Sequence, residues 1–191
     1  MEKIKWSEEK MQLQLTKSGG AFDFTRNICV PNVSYGFNYS GESDLLIIRP
    51  SMFLIEVEIK ISVADLKKDV EKSKHKDWER ATNPVAELYY AMPSSIWDKV
   101  KDNPPIPDHA GIVIIDESKL DRYTKHQFIR KAKKHAFART LTHLEIYRIT
   151  RLGCYKFWVN NSKLDRANTQ LRTTLKNLNE IKNSQELLLT K

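Results

Sequence analysis

The sequence predicts an α/β fold: a central mixed β-sheet flanked by helices, with a further helix at the C-terminus. Three observations lead there. Short apolar or alternating runs at 45–48, 53–61, 86–92 and 111–115 are separated by polar segments of helical spacing, the pattern of strands interleaved with helices. The strands arrive three in succession and then singly between helices, as β-β-β-α-β-α-β-α, which calls for a mixed sheet. The 191 residues, 40% of them hydrophobic, suffice for one domain with its own core and an appendage. We divide the chain into an α/β domain at 1–158 and a helical extension at 159–191.

Ser7, followed by Glu8 and Glu9, reads as a helix start, with acids in the positive first turn. Gly19-Gly20 closes that helix. Ile28-Cys29-Val30 is a short strand that Pro31-Asn32 should break. Tyr35, Phe37 and Tyr39 alternate with polar and Gly residues, as in a hairpin; their rings would pack that hairpin or stack on bases. Leu45–Ile48 is a buried strand, turned by Arg49-Pro50-Ser51-Met52 into an antiparallel neighbour, Phe53–Ile61. Ser62 and Asp65 open a charged helix reaching Glu79, with Leu66 and Val70 as a thin apolar stripe. Ala86–Met92 is a strand ending at Pro93, Ser94–Val100 a short helix, and Gly111–Ile115 a strand. Leu120–Thr140 reads as a basic helix with Phe128, Ala132 and His135 or Ala136 on its buried side. His143–Thr150 alternates as a strand. Leu164, Ala167, Leu171, Leu175, Leu178 and Ile181 put one apolar stripe on a last helix. Docking onto the domain or a short coiled-coil homodimer would cover it.

Several classes are excluded. No run of about 18 apolar residues is present, so no membrane-spanning helix is expected. The start, Met1-Glu-Lys-Ile-Lys-Trp6, lacks the apolar core of a signal peptide. Cys29 and Cys154 are too few for a disulfide or zinc framework, and both are expected to behave as small buried hydrophobes of a reduced, cytoplasmic protein. The formal net charge of +8 points to a polyanionic partner. Most of that excess lies in 118–139, where Lys119, Arg122, Lys125, Arg130, Lys131, Lys133, Lys134 and Arg139 face Asp121 alone. A surface this one-sided is suited to phosphate contacts.

The strand at 53–61 carries the chemistry. Side chains alternate across a strand, so Phe53, Ile55, Val57, Ile59 and Ile61 share an apolar face. Glu56, Glu58 and Lys60 then share the other. The preceding strand is apolar on both faces, so this charged row is not simply wet. In an antiparallel hairpin Asp44, at the start of one strand, meets the end of the next, where Glu58 and Lys60 stand. Neighbouring carboxylates repel, and a divalent cation such as Mg²⁺ or Mn²⁺ relieves the repulsion with oxygen ligands. A lysine beside it can orient or deprotonate water, or stabilise charge at phosphorus. With a different register Glu56 and Glu58 would both face the site, and the Glu-x-Lys pairing favours Glu58.

The arrangement Asp44-x₁₃-Glu58-Ile59-Lys60 resembles the core motif of the PD-(D/E)XK nuclease superfamily, with Ser43 at the usual proline position. Glu56-Val-Glu58-Ile-Lys60-Ile-Ser62-Val-Ala-Asp65-Leu66, then Lys72, His75 and Lys76, Leu88-Tyr-Tyr-Ala-Met-Pro93 and Gly111-Ile-Val-Ile-Ile115 resemble the MmcB-like group of small DNA-repair nucleases, over roughly residues 27–150. The resemblance implies a restriction-endonuclease-like core and a Mg²⁺-dependent deoxyribonuclease acting in DNA repair, recombination or phage–host conflict. Asp44 and Glu58 would be metal carboxylates, the Ile59 carbonyl a third ligand, and Lys60 the residue that positions water. Glu42 is an additional acid near the metal or a loop carboxylate. Glu8 or Glu9 would add one from the first helix. His75 with Lys125, Arg130, Lys131, Lys133 and Lys134 would contact DNA. The alternative is a non-catalytic nucleic-acid-binding or assembly module on the same sheet.

Overall fold

The computed structural model describes residues 5–33, 42–69, 78, 83–117 and 125–189. The aromatic segment at Tyr35–Tyr39, the residues Lys72, His75 and Lys76, and the basic residues Lys119 and Arg122 lie outside them. Two units make up the chain, Met1–Leu152 and Gly153–Lys191.

The first unit is a six-stranded mixed sheet with helices on its faces, the α/β fold expected. Helix α1 spans Glu8–Thr16, and its cap is Ser7, whose side chain accepts from the Lys10 amide. The turn after it passes through Gly19 at φ +77°, where a Cβ would be strained. Strands β1 (Ile28–Val33), β2 (Ser43–Ile48) and β3 (Leu54–Ile59) follow. Helix α2 (Val63–Asp69) leads to β4 (Val85–Pro93), the short α3 (Ser94–Trp97), β5 (Gly111–Ile115) and β6 (His126–Arg130). Strand order is sequential: β1-β2-β3 and β5-β6 pair antiparallel, and β3-β4-β5 parallel.

Both faces of the sheet are covered, so β3 is buried along its whole length. On one face Leu45, Ile47, Ile55, Val57, Ile59 and Tyr89 pack against Met11 and Leu15 of α1. On the other, Leu46, Ile48, Leu54, Leu88, Tyr90 and Met92 pack against Leu66 of α2. By alternation Asp44, Glu56, Glu58 and Lys60 belong to this second face, enclosed rather than wet.

Three elements differ from the sequence reading. β1 continues through Pro31, which stands opposite Leu45. It is an edge strand, where a missing N–H costs no ladder bond. Residues 126–130 form β6 rather than a basic helix. His126-Gln-Phe-Ile-Arg completes a ladder with β5, and the chain then leaves the strand. Ala132 packs on the α1 face while His135 rests against Trp78. The residues assigned to one helical stripe thus belong to different places. Third, 143–150 is helical, the start of α4 (His143–Leu189). A capping box begins it: the Glu145 amide donates to Thr142 Oγ1 at 3.3 Å, and the Thr142 amide to Glu145 Oε2 at 2.7 Å. Ile146, Ile149 and Leu152 then seat this first part of α4 on the core.

The second unit is the rest of α4. Leu164, Leu171, Leu175, Leu178 and Ile181 are all more than half exposed. Cys154 is exposed rather than buried, and Cys29 is half-buried. Among the described residues no helix is long and apolar enough to cross a membrane.

Candidate functional site

A buried polar cluster lies where β3 ends. Its centre is Lys60, only 2% exposed although its stem and ammonium follow a strand of apolar residues. Three carboxylates from different elements surround its Nζ. Glu58 Oε2 lies at 2.9 Å, Asp69 Oδ1 at 3.2 Å and Asp44 Oδ2 at 3.9 Å. Asp69, at the last described turn of α2, also accepts from Tyr90 Oη at 2.6 Å. Tyr90 stands opposite Glu58 in the parallel ladder, so the phenol rises beside the same cluster. Glu58 and Asp69 are almost wholly buried, whereas the Asp44 side chain is 20% exposed. Asp44 is therefore the member that meets solvent.

The backbone fixes Asp44. Its Oδ2 accepts the Ile59 amide at 2.7 Å, continuing the β2–β3 ladder through a side chain. Within a strand the N–H and C=O of one residue point to the same neighbour. The Ile59 carbonyl therefore lies on the Asp44 side of β3, the side expected of a third ligand. Helix α1 supports this end from the other face: Gln12 Nε2 donates to the Asp44 carbonyl at 2.8 Å and to Glu8 Oε1 at 3.0 Å. Of the two acids offered by α1, Glu8 is the one that joins the cluster. Ser43, at the usual proline position of the motif, donates to Glu56 at 2.8 Å. That bond occupies Glu56, two same-face positions from Lys60, and leaves Glu58 as the carboxylate next to the lysine.

The electrostatics follow from carboxylates outnumbering ammonium. Burial first and Glu58 second lift the Asp44 carboxyl to about 7, against the Ile59 hydrogen bond and Lys60, which lower it. Glu8 is also raised, by burial first and then by Glu9 and Glu42, with Lys60 opposing. For Lys60 burial pulls the ammonium down, but Glu58, Asp69 and Asp44 outweigh that and hold its pKa above the ordinary lysine value. Lys60 is thus a fixed positive charge near neutral pH and a hydrogen-bond donor.

A divalent cation fits part of this set. Asp44, Glu58 and the Ile59 carbonyl offer hard oxygens from adjacent backbone positions, the ligand type Mg²⁺ takes while keeping several waters. No group of three or more His, Cys, Asp or Glu side chains arranged to hold a metal occurs among the described residues. Glu42 is exposed and enters only through its effect on Glu8.

The basic residues are distributed differently from the expectation. Lys125 alone lies at the carboxylate end of the sheet: its carbonyl accepts from Asp116, just past the end of β5. Arg130 is committed to the fold, donating to the carbonyls of Ala110 and Pro107 at 2.8 and 2.7 Å. After β6 the chain crosses the opposite end of the parallel strands, where the Lys133 amide meets the His109 carbonyl and the His135 amide that of Ala86. Lys131, Lys133 and Lys134 therefore lie about 20 Å, one strand length, from Lys60. Lys134 Nζ sits 3.5 Å from the Phe53 ring centroid. His75 lies outside the described residues.

Asp69 and Tyr90 escaped the sequence reading. The available signal was helical spacing, since Asp69 follows Leu66 by three residues and so shares its inward face.

The molecule is thus an α/β protein with a carboxylate-rich, lysine-centred cluster at the end of a central strand. No protein-family model matches the chain, and no curated protein matches it. Among solved structures it is similar to a protein of unknown function from Silicibacter pomeroyi, at 13% identity and a TM-score of 0.51. The match covers 81% of this chain and 91% of that one. At that identity the likeness is one of fold.

Proposed function

We propose that the chain is a metal-dependent deoxyribonuclease, hydrolysing phosphodiester bonds at the Asp44–Glu58–Lys60 cluster with Mg²⁺ or Mn²⁺. The observation that carries this reading is the excess of buried carboxylate around one lysine, with Asp44 lifted to about 7 at the solvent-facing edge. Such a set is costly unless a further cation completes it.

Asp44, Glu58 and the Ile59 carbonyl would hold the metal, which when bound polarises the phosphoryl group and favours ionisation of a water. Asp44, anchored by the Ile59 amide, presents its carboxylate in one orientation. Lys60 donates hydrogen bonds from a fixed ammonium to the negative charge that grows on the phosphoryl oxygens. Asp69 and Tyr90 keep that ammonium in place. The water releases a proton to solvent as its oxygen bonds to phosphorus, the ester P–O bond breaks, and the departing oxygen takes a proton from solvent.

The test is incubation of the purified chain with plasmid, linear and single-stranded DNA in Mg²⁺ or Mn²⁺. Cleavage that disappears in Glu58→Ala and Lys60→Ala supports the proposal. No cleavage of any substrate, or cleavage undiminished in both variants, rejects it.

A second reading is a non-catalytic nucleic-acid-binding module. Its support is the placement of Lys131, Lys133 and Lys134 at the far end of the sheet from the carboxylates. Divalent-independent DNA binding with a steep salt dependence, and no hydrolysis, would select it.

A further inference from the structure

We propose that the exposed part of α4 is one strand of a parallel, two-stranded coiled coil formed with a second copy of this chain. The observation is a seven-residue repeat on a helix whose apolar side chains are exposed. Phe157, Leu164, Leu171 and Leu178 stand seven residues apart, and each is 56–59% exposed. Asn160, Ala167, Thr174 and Ile181 form a second set, also seven apart, three residues after the first. These are the a and d positions of a heptad sustained over about 36 Å of helix. A helix that docks along a globular surface needs only a 3.6-residue stripe; a strict seven-residue repeat matches a partner that supercoils with it.

The charges favour an identical helix as that partner. Every a and d position is uncharged. Asp165, Arg166, Arg172, Lys176 and Glu180 fall on the outer positions, where Lys176 and Glu180 pair within the helix at 4.0 Å. In a parallel, in-register pair each g residue faces the following e residue of the other helix. Lys163 then faces Asn168, Gln170 faces Leu175 and Asn177 faces Lys182. No like charges meet, and Leu175, outside the strict seam, is covered as well. In the antiparallel arrangement g faces g and e faces e, which gives up these pairings.

The test uses the full chain and is independent of any nuclease activity. Sedimentation equilibrium across micromolar concentrations should give twice the 22.3 kDa chain mass. Leu171→Lys with Leu178→Lys should give the monomer mass, while Arg172→Glu on the outer face should leave the dimer intact. In a Cys154→Ser background, Leu171→Cys should form an interchain disulfide on mild oxidation, because identical a residues face each other in a parallel pair. A wild-type monomer, a mass above the dimer, a dimer that survives the seam substitutions, or a dimer without the Leu171→Cys crosslink would each overturn the proposal. The lysine double variant is also checked for an intact α/β unit by the cooperativity of its urea transition.

Discussion

Replacing Asp44 by Asn should stabilise the metal-free protein at pH 8 and remove its response to Mg²⁺. The Asp44 carboxyl lies at about 7 against an ordinary 3.8. Between those values the folded chain holds a proton that the unfolded chain releases, so raising the pH through that window favours unfolding. Above about pH 7 the penalty is complete, on the order of 4 kcal/mol at 1.36 kcal/mol per unit. Asn keeps an oxygen for the Ile59 amide and removes the charge, but it gives up the 3.9 Å attraction to Lys60. The net gain expected is about 2–4 kcal/mol at pH 8, or roughly 5–15 °C in Tm. At pH 5 the folded carboxyl is protonated but the unfolded one is largely not, so roughly 1.6 kcal/mol of that penalty remains and the difference should shrink by about 2.5 kcal/mol from its pH 8 value. Thermal unfolding in EDTA at both pH values measures this, and a Mg²⁺ titration at pH 8 should raise the wild-type Tm without moving the variant. If Asp44→Asn were less stable at pH 8, or the difference were the same at both pH values, the burial and repulsion argument would be wrong.

Other outcomes follow from single contacts. Lys60→Met should cost about 3–5 kcal/mol in urea denaturation, because Glu58 and Asp69 lose the ammonium they share. Lys131→Ala with Lys133→Ala should reduce the slope of log K against log salt for duplex DNA by up to about 0.9 per residue; an unchanged slope would place the DNA elsewhere. Thr142→Ala should cost about 1 kcal/mol of stability by removing the hydroxyl that caps α4, read from a urea titration.

How far the sequence disclosed the site depended on how local each contact is. Asp44, Glu58 and Lys60 lie on two strands joined by one short turn, so strand alternation alone places them together. Asp69 and Tyr90 join them only through the parallel crossover from β3 by way of α2 to β4, whose return position no local pattern states. The sheet was legible where apolar runs were unbroken, as in β2 and β5, or alternated strictly, as in β3. It was not legible at β6, because Phe128 and Ala132 have helical spacing by coincidence while β5 offers an unfilled edge. The strand expected at His143–Thr150 rested on alternation. The sequence Thr142-His-Leu-Glu145 was a helix-start signal, and the capping bonds outweighed the alternation.

The buried cluster also bears on what the fold would be without a function. A core polar group satisfied by partners is still weak support for stability, since well-packed apolar residues of the same volume do as well or better. Lys60, Glu58 and Tyr90 lie on a sheet face, with Asp69 of α2 against it, whose other residues apart from Asp44 and Glu56 are apolar, so an apolar version has ready neighbours. The combined replacement Lys60→Met, Glu58→Leu, Asp69→Leu and Tyr90→Phe removes the buried members together, leaves no unpaired charge among these four, and keeps only the partly exposed Asp44, held by the Ile59 amide. It should be as stable as the wild type, or more stable by about 1–4 kcal/mol, even though Lys60→Met alone is strongly destabilising. Urea titrations of the wild type, the single and the quadruple variant, together with DNA cleavage, separate the two roles. A stable quadruple variant with no hydrolysis means that the cluster exists for chemistry. A quadruple variant that loses as much stability as Lys60→Met means that the cluster holds the sheet to α2, and the catalytic reading then loses its main physical support.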